Sequence, residues 1–230
     1  MAPRVGIVVF PGTNCEHDVA AALSLVGAEP QFLWHGTGAL GDVDAVVVPG
    51  GFAHGDYLRP GAIARFSPVM DAVADFAAAG GPVVGICNGF QVLTEAGLLP
   101  GALQKNSRLR FMCTPVVVAV ATDNSVLTAG VPVGTTLTLP VNNFDGSYVC
   151  DPAVLAQLHD QDRVVLRYTE NPNGSIDDIA GICNEGRNVV GLMPHPERAS
   201  SELIGSADGL PLLRSLVSVA VSSPAGRGVG

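Results

Sequence analysis

The stretch from Pro82 to Leu98, PVVGICNGFQVLTEAGL, constrains the fold more than any other part of the chain. Pro82 to Ile86 is a short apolar run with the length and β-branched content of a buried strand. From Phe90 onward the apolar positions Phe90, Leu93 and Ala96, with Val92 beside them, recur at helical spacing, and Gly97 supplies a stop. Between the two lies Cys87, bracketed by Gly85 and Gly89 as G-x-C-x-G. A strand that turns straight into a helix needs close backbone approaches, which glycine permits. The pattern resembles the nucleophile elbow of hydrolases, with sulfur in place of a serine oxygen. A thiol placed there sits at a helix N-terminus, where free N–H groups and the helix dipole favour negative charge. Thiolate is the nucleophilic form, so such a site activates the cysteine. Taken by itself, the stretch favours the reactive thiol, with a packing cysteine between strand and helix as the alternative.

The flanking chain places this elbow in an α/β frame. Arg4 to Phe10, Pro30 to Trp34 and Asp44 to Val48 read as strands. Cys15 to Val26 reads as a helix ended by Gly27, and Gly61 to Ala79 as mostly helical with a break near Pro68. This alternation gives βαβ units and a mostly parallel sheet covered on both faces. After Gly101 the texture is richer in β-structure. Met112 to Ala121, Thr135 to Val141, Arg163 to Tyr168, Asp178 to Cys183 and Asn188 to Met193 read as strands, with a helix over Pro152 to Leu158. This half extends the sheet with an antiparallel portion. Ala207 to Val221 is a final amphipathic helix, so residues 1–221 are read as one flavodoxin-like α/β domain and 222–230 as a disordered tail.

Composition narrows the function classes. A formal net charge of −9, with Lys105 the only lysine, argues against nucleic acid bound through a broad basic surface. The five cysteines form no C-x-x-C pair, which fits reduced thiols rather than a disulfide framework. Cys113 and Cys183 fall inside apolar strand runs and are expected to be buried. No apolar run approaches the roughly 20 residues of a membrane span, and Met1 to Gly6 has no signal-peptide character. The expected location is cytoplasmic. Cys15-Glu16-His17 has no second pair at zinc spacing, so no metal site is expected. The chain has no G-x-x-x-x-G-K-[ST] loop for ATP.

A reactive thiol needs a base and a group that orients the base. His195 stands out among the five histidines by its setting, Met193-Pro-His-Pro-Glu-Arg198. Pro196 pushes His195 toward extended geometry, where residues i and i+2 share a face. Glu197 can then hold one ring nitrogen and leave the other for Cys87, which is triad logic. The histidine also follows a strand, at the strand end where α/β sites form. A rigid solvated turn is the alternative for P-H-P-E alone. An oxyanion hole is expected from Pro49-Gly50-Gly51-Phe52, with Gly51 as one donor and the backbone amide of Asn88 as the other.

With G-I-C-N-G-F-Q, P-G-G-F and P-H-P-E-R in place, the chain resembles the class I, or triad, glutamine amidotransferases. Within them it is most similar to the amidotransferase subunits of phosphoribosylformylglycinamidine synthase. The likeness also covers FPGTNCE (Phe10 to Glu16), PGGFAHGDYLRPGAIARFSPVM (Pro49 to Met70), NPNGS (Asn171 to Ser175) and IAGICN (Ile179 to Asn184), which is nearly the whole chain except the tail. The resemblance implies Cys87 as nucleophile, His195 as base, Glu197 as its orienting partner and Gly51 at the oxyanion hole. It implies substrate contact by Gln91 and a glutamine-pocket rim at Asn106, Arg108 and Phe111. It implies a glutaminase that makes glutamate and ammonia through a thioester. The ammonia would pass to a large synthetase subunit, which uses ATP and Mg to convert formylglycinamide ribonucleotide to the amidine in purine biosynthesis. No cofactor is implied on this chain itself, and a small accessory subunit is expected beside the synthetase. The loop bearing His54, Asp56, Tyr57 and Arg59 is expected to face the synthetase.

One segment departs from the family. Its members often carry a histidine and a glutamate where this chain reads Val141-Asn-Asn-Phe-Asp-Gly-Ser-Tyr148, so no role transfers there. Two other classes compete. One is a cysteine hydrolase or chaperone-like protein of the same architecture, disfavoured by P-H-P-E. The other is a binding domain with a silent site, disfavoured by the presence of all three triad residue types.

Overall fold

The computed structural model describes residues 2–222. Its centre is one nine-stranded sheet in the order β2-β1-β3-β4-β11-β10-β9-β6-β7. Five neighbouring strands are mutually parallel: β2 (Glu29–Trp34), β1 (Arg4–Val9), β3 (Ala45–Val48), β4 (Val83–Ile86) and β11 (Val189–Leu192). Every residue of β3, β4 and β11 is buried. Only strands covered on both faces can be apolar throughout, which is why these runs read as continuous rather than alternating. The crossovers carry α1 (Glu16–Leu25), α2 (Pro68–Ala78) and α3 (Asn88–Glu95). The expected break near Pro68 is real. A 3-10 turn over Ala64–Phe66 ends before it, and Pro68 opens α2 at the first turn, where a missing N–H costs nothing.

The antiparallel half is β10 (Ile179–Cys183), β9 (Val164–Tyr168), β6 (Met112–Val120) and β7 (Thr136–Asn143). Two elements escape the sequence pattern: β5 (Ala102–Gln104) and β8 (Ser147–Val149), three residues each, pair as a separate antiparallel ribbon. Three residues are too few to show a period. α4 (Pro152–Asp160) lies between β8 and β9, and the described chain closes with α5 (Leu210–Ser222). Ser222 thus belongs to the helix, and residues 223–230, the rest of the expected tail, lie outside the described residues.

One burial expectation is corrected. Cys183 is buried, and that burial pushes its thiol up to about 11. Cys113 is exposed. β9 pairs with β6 only from Val118 to Val120, so the Cys113 end of β6 runs past its neighbour with β7 alone beside it. The apolar run predicts a strand correctly there, but not its cover.

The register positions the chemistry. β4 lies between β3 and β11, with Val48 opposite Gly85 and Leu192 opposite Ile86. Three parallel strands therefore end side by side at one sheet edge, and the residues that follow them are forced together.

Candidate active site

The nucleophile elbow sits at the end of β4. Cys87 has φ 52° and ψ −107°, a region that side chains rarely occupy. The ladder holds it there: Cys87 N donates to Leu192 O at 2.8 Å, and Gln91 N donates to Cys87 O at 3.2 Å. Gly89 shows what the turn demands, since a Cβ at that position would lie 1.8 Å from Val48 O. The thiol is nearly buried, and its Sγ donates to Asn142 O at 3.7 Å.

Beyond β11, His195 adopts the extended geometry that Pro196 imposes, with φ −103° and ψ 91°. Glu197 reaches it by a different route from the one expected. It lies in a 3-10 turn, Pro196–Arg198, not on an extended segment. The outcome is the same contact: Nδ1 of His195 donates to Glu197 Oε1 at 2.6 Å. The two residues are 1% and 2% exposed. His195 Nε2 is buried and has no hydrogen-bond partner. Burial alone would push the imidazolium pKa down. The Glu197 carboxylate, followed by the Cys87 and Cys15 thiols, overcomes this and holds it well above the ordinary 6.5. The ring is thus a strong proton acceptor beside the thiol.

The loop after β3 supplies donors. Gly51 has φ +149°, and a Cβ there would lie 2.8 Å from both Gly12 O and Asn14 N. It pairs with Thr13 in a bridge whose bonds are Phe52 N to Gly12 O (2.9 Å) and Asn14 N to Gly50 O (3.3 Å). That arrangement leaves the N–H of Gly51 out of the ladder. Asn88 is the first residue of α3, so its N–H has no carbonyl one turn back. Its side chain ties the parts together, with Oδ1 accepting from Ala53 N (2.9 Å) and Nδ2 donating to Gln91 Oε1 (2.8 Å). Cys87, His195, Gly51 and Gln91 line one cavity of about 80 Å³.

Residues 2–208 match the family of CobB/CobQ-like glutamine amidotransferase domains. The chain belongs to this family. The amidotransferase is 60% identical over 214 residues to the phosphoribosylformylglycinamidine synthase subunit PurQ of Rubrobacter xylanophilus, covering 93% of this chain and 97% of the relative. It is 54% identical over 224 residues to the PurQ subunit of Koribacter versatilis, with coverage of 93% and 97%. The solved structure of PurLQS from Thermotoga maritima contains a chain that superposes with a TM-score of 0.88 at 41% identity, covering 95% of the amidotransferase and 99% of that chain. A protein described as a GMP synthase component from Thermoplasma acidophilum shares the fold at a TM-score of 0.68, 17% identity and 96% coverage of each chain.

The remaining sequence candidates divide. Phe111 lies on the wall of the amidotransferase cavity. Asn106 does not; it is fully buried beneath the loop, donating to Asn143 O (3.0 Å) and accepting from Gly146 N (3.0 Å). Arg108 lines a separate cavity with Met112, Thr114 and Glu170. Arg59 is held by Glu95 in a bidentate pair at 2.6 Å, and Asp56 points into the cavity rather than outward. His54 packs against His35 and Phe10. No described helix is long and apolar enough to cross a membrane.

Two features were hidden from the sequence. Cys15 separates from His17, which packs edge-on to Phe32, and turns instead into the site. Its Sγ accepts from Arg198 Nη2 at 3.2 Å, and its ligand atom lies within 4.8 Å of those of His195 and Glu197, the one buried trio among the described residues that could hold a metal ion. The second feature is the wall formed by Asn142, Asn143, Phe144 and Asp145. The NPNGS motif could have pointed to it, because Asn173 and Ser175 brace this turn through Gly146 O and Tyr148 N.

Proposed function

We propose that the chain is the glutaminase subunit of a phosphoribosylformylglycinamidine synthase, with Cys87, His195 and Glu197 as its triad. The observation that carries the reading is the buried His195 ring, with Nδ1 on Glu197 at 2.6 Å and Nε2 unpartnered at the strained Cys87 elbow. His195 Nε2 takes the thiol proton as Sγ attacks the carboxamide carbon of glutamine. The N–H groups of Gly51 and Asn88 receive the developing oxyanion. The C–N bond then breaks, the proton goes from His195 to the leaving nitrogen, and ammonia departs from a γ-glutamyl thioester. Water, deprotonated by the same ring, hydrolyses the thioester to glutamate and restores the thiol. Gln91 positions the substrate beside the elbow.

Ammonia then passes to a large synthetase subunit, where ATP and Mg drive conversion of formylglycinamide ribonucleotide to formylglycinamidine ribonucleotide. The names of the relatives and the PurLQS neighbour support this division. A small accessory subunit completes the complex, and the work is done in the cytoplasm. Tyr57, Leu58 and Phe66 expose large apolar side chains on the segment after the Gly51 loop, which supports docking there. The test is a complex carrying Cys87→Ser. Glutamine-dependent synthesis should vanish while ammonia-dependent synthesis persists. Loss of both in an assembled complex would refute the division of labour.

A further inference from the structure

The acyl chemistry leaves one polar neighbour of His195 without a role. Cys15 stands at the N-cap of α1. Ser, Thr, Asp and Asn usually fill that position, because their side chains bond the free N–H groups of the first turn. Cys15 makes no such bond, and its side chain lines the site cavity instead, in a residue only 2% exposed. A Cβ built on Gly50 would lie 2.8 Å from Cε1 of His195, 3.0 Å from Sγ of Cys15 and 3.5 Å from Cβ of Cys87. Only a glycine leaves these three side chains room to converge there.

The hydrogen bonds of the Cys15 thiol can be accounted for. A thiol has one weak donor and weak acceptor lone pairs. The S–H donates to Asn14 Oδ1 at 3.2 Å, and Sγ accepts from Nη2 of Arg198 at 3.2 Å. Nε of the same guanidinium donates to Asp18 Oδ2 at 3.0 Å. Cys15 and Asp18 are three residues apart at the start of α1, so one planar fork grips both. Arg198 belongs to the turn that carries Glu197, and its N–H donates to His195 O at 3.2 Å. Cys15 N donates in turn to Gly50 O, also at 3.2 Å. The pair thus joins the histidine turn, the start of α1 and the loop after β3. The sulfur, a ring nitrogen of His195 and a carboxylate oxygen of Glu197 all lie within 4.8 Å of one another. Arg198 already supplies a positive charge to this trio, and like-charge repulsion disfavours a metal ion beside it.

We propose that Cys15, held by Arg198, is a positioning residue for the base: its remaining lone pair is set beside the His195 ring and, together with Glu197, fixes the orientation in which Nε2 takes the Cys87 proton. Glu197 holds the ring at Nδ1 alone, and one hydrogen bond leaves a ring free to swing about it. A second contact at the ring edge removes that freedom, and proton transfer depends steeply on such alignment. The proposal rests on the glutaminase reading.

The test uses the assembled complex, supplied with glutamine or with ammonia as the nitrogen donor. Cys15→Ala should lower kcat with glutamine by about threefold to thirtyfold, the range for one modest hydrogen bond that matters in the transition state. It should leave KM for glutamine within about twofold and leave ammonia-dependent synthesis unchanged. Cys15→Ser keeps a donor and an acceptor and should recover most of the loss. Arg198→Ala should lower kcat in the same direction. The variant carrying both alanines should fall no further than the larger single loss, because the two residues act as one arm. An unchanged kcat in Cys15→Ala would overturn the proposal. So would equal losses in the Ala and Ser variants, which would mean that the thiol only fills space, or losses that multiply in the double variant. A matching loss with ammonia would also overturn it, by marking Cys15 as structural. Turnover of glutamine by the unmodified complex separates the two levels. Its absence would refute the glutaminase reading itself, whereas its presence with Cys15→Ala unimpaired would refute the positioning arm alone.

Discussion

Replacing Glu197 by Gln keeps the side chain's size and removes its charge. The contact at stake is the 2.6 Å bond to His195 Nδ1, between residues that are 1% and 2% exposed and so unscreened by water. With charge centres about 4 Å apart and an effective dielectric near 20, the attraction between imidazolium and carboxylate is about 4 kcal/mol. The carboxylate stabilises the imidazolium formed when the thiol proton moves to the ring, so its loss disfavours the thiolate–imidazolium pair from which attack proceeds. About 4 kcal/mol corresponds to roughly a thousandfold in kcat. KM for glutamine should change little, because Glu197 does not line the cavity. With the carboxylate gone, burial acts on His195 without its main opponent, so the histidine limb of the pH–rate profile should move to lower pH. The assay is steady-state, glutamine-dependent synthesis by the complex, with ammonia-dependent synthesis as the control for assembly. A loss under about tenfold in kcat, or an equal loss with ammonia, would refute the role assigned to Glu197.

Gly89→Ala should destabilise the chain by more than the usual 1–3 kcal/mol of overpacking, because the new Cβ would fall 1.8 Å from Val48 O in a fully buried strand; an unchanged thermal midpoint by circular dichroism would contradict the close approach. Asp56→Asn should stabilise the fold in a pH-dependent way. A carboxyl whose folded pKa, about 6, exceeds the ordinary 3.8 binds extra protons in the folded state, so wild-type stability falls as pH rises through that window and the deficit persists above it. The shift corresponds to about 3 kcal/mol, reduced to about 1–2 kcal/mol by partial solvent screening. Urea titrations should show that gain near pH 8 and none near pH 4; a gain of equal size at both would contradict the linkage.

Much of the fold was legible because its strands are fully buried. β3, β4 and β11, buried throughout, and β1, buried over its middle four residues, appear as short runs dominated by valine and isoleucine with glycine between them, and the elbow motif names the turn between β4 and α3. The contact between His195 and Glu197 was legible because Pro196 fixes the backbone of His195, and the 3-10 turn that carries Glu197 still brings its carboxylate to the ring. What stayed hidden depends on tertiary approach. Cys15 enters the site because α1 begins against the Gly50 carbonyl, to which Cys15 N donates at 3.2 Å. Asp145 enters because the turn after β7 is braced by Asn106 from one segment and by Asn173 and Ser175 from another. Asn106 and Arg108 were read as pocket rim from their place in the motif. Asn106 instead turns inward to satisfy that loop, and Arg108 turns to a different cavity. Neither period nor propensity encodes those choices.

The central claim is that glutamine is cleaved through a covalent bond to one thiol among five. Acid-quenched complex, taken during turnover of glutamine and digested for mass spectrometry, reads this directly. The account predicts a γ-glutamyl adduct on the peptide bearing Cys87, absent from the peptides bearing Cys15, Cys113, Cys150 and Cys183, and lost in a Cys87→Ser complex. An adduct on Cys15, the other thiol in the cavity, or persistent glutaminase turnover in the Cys87→Ser complex, would contradict it.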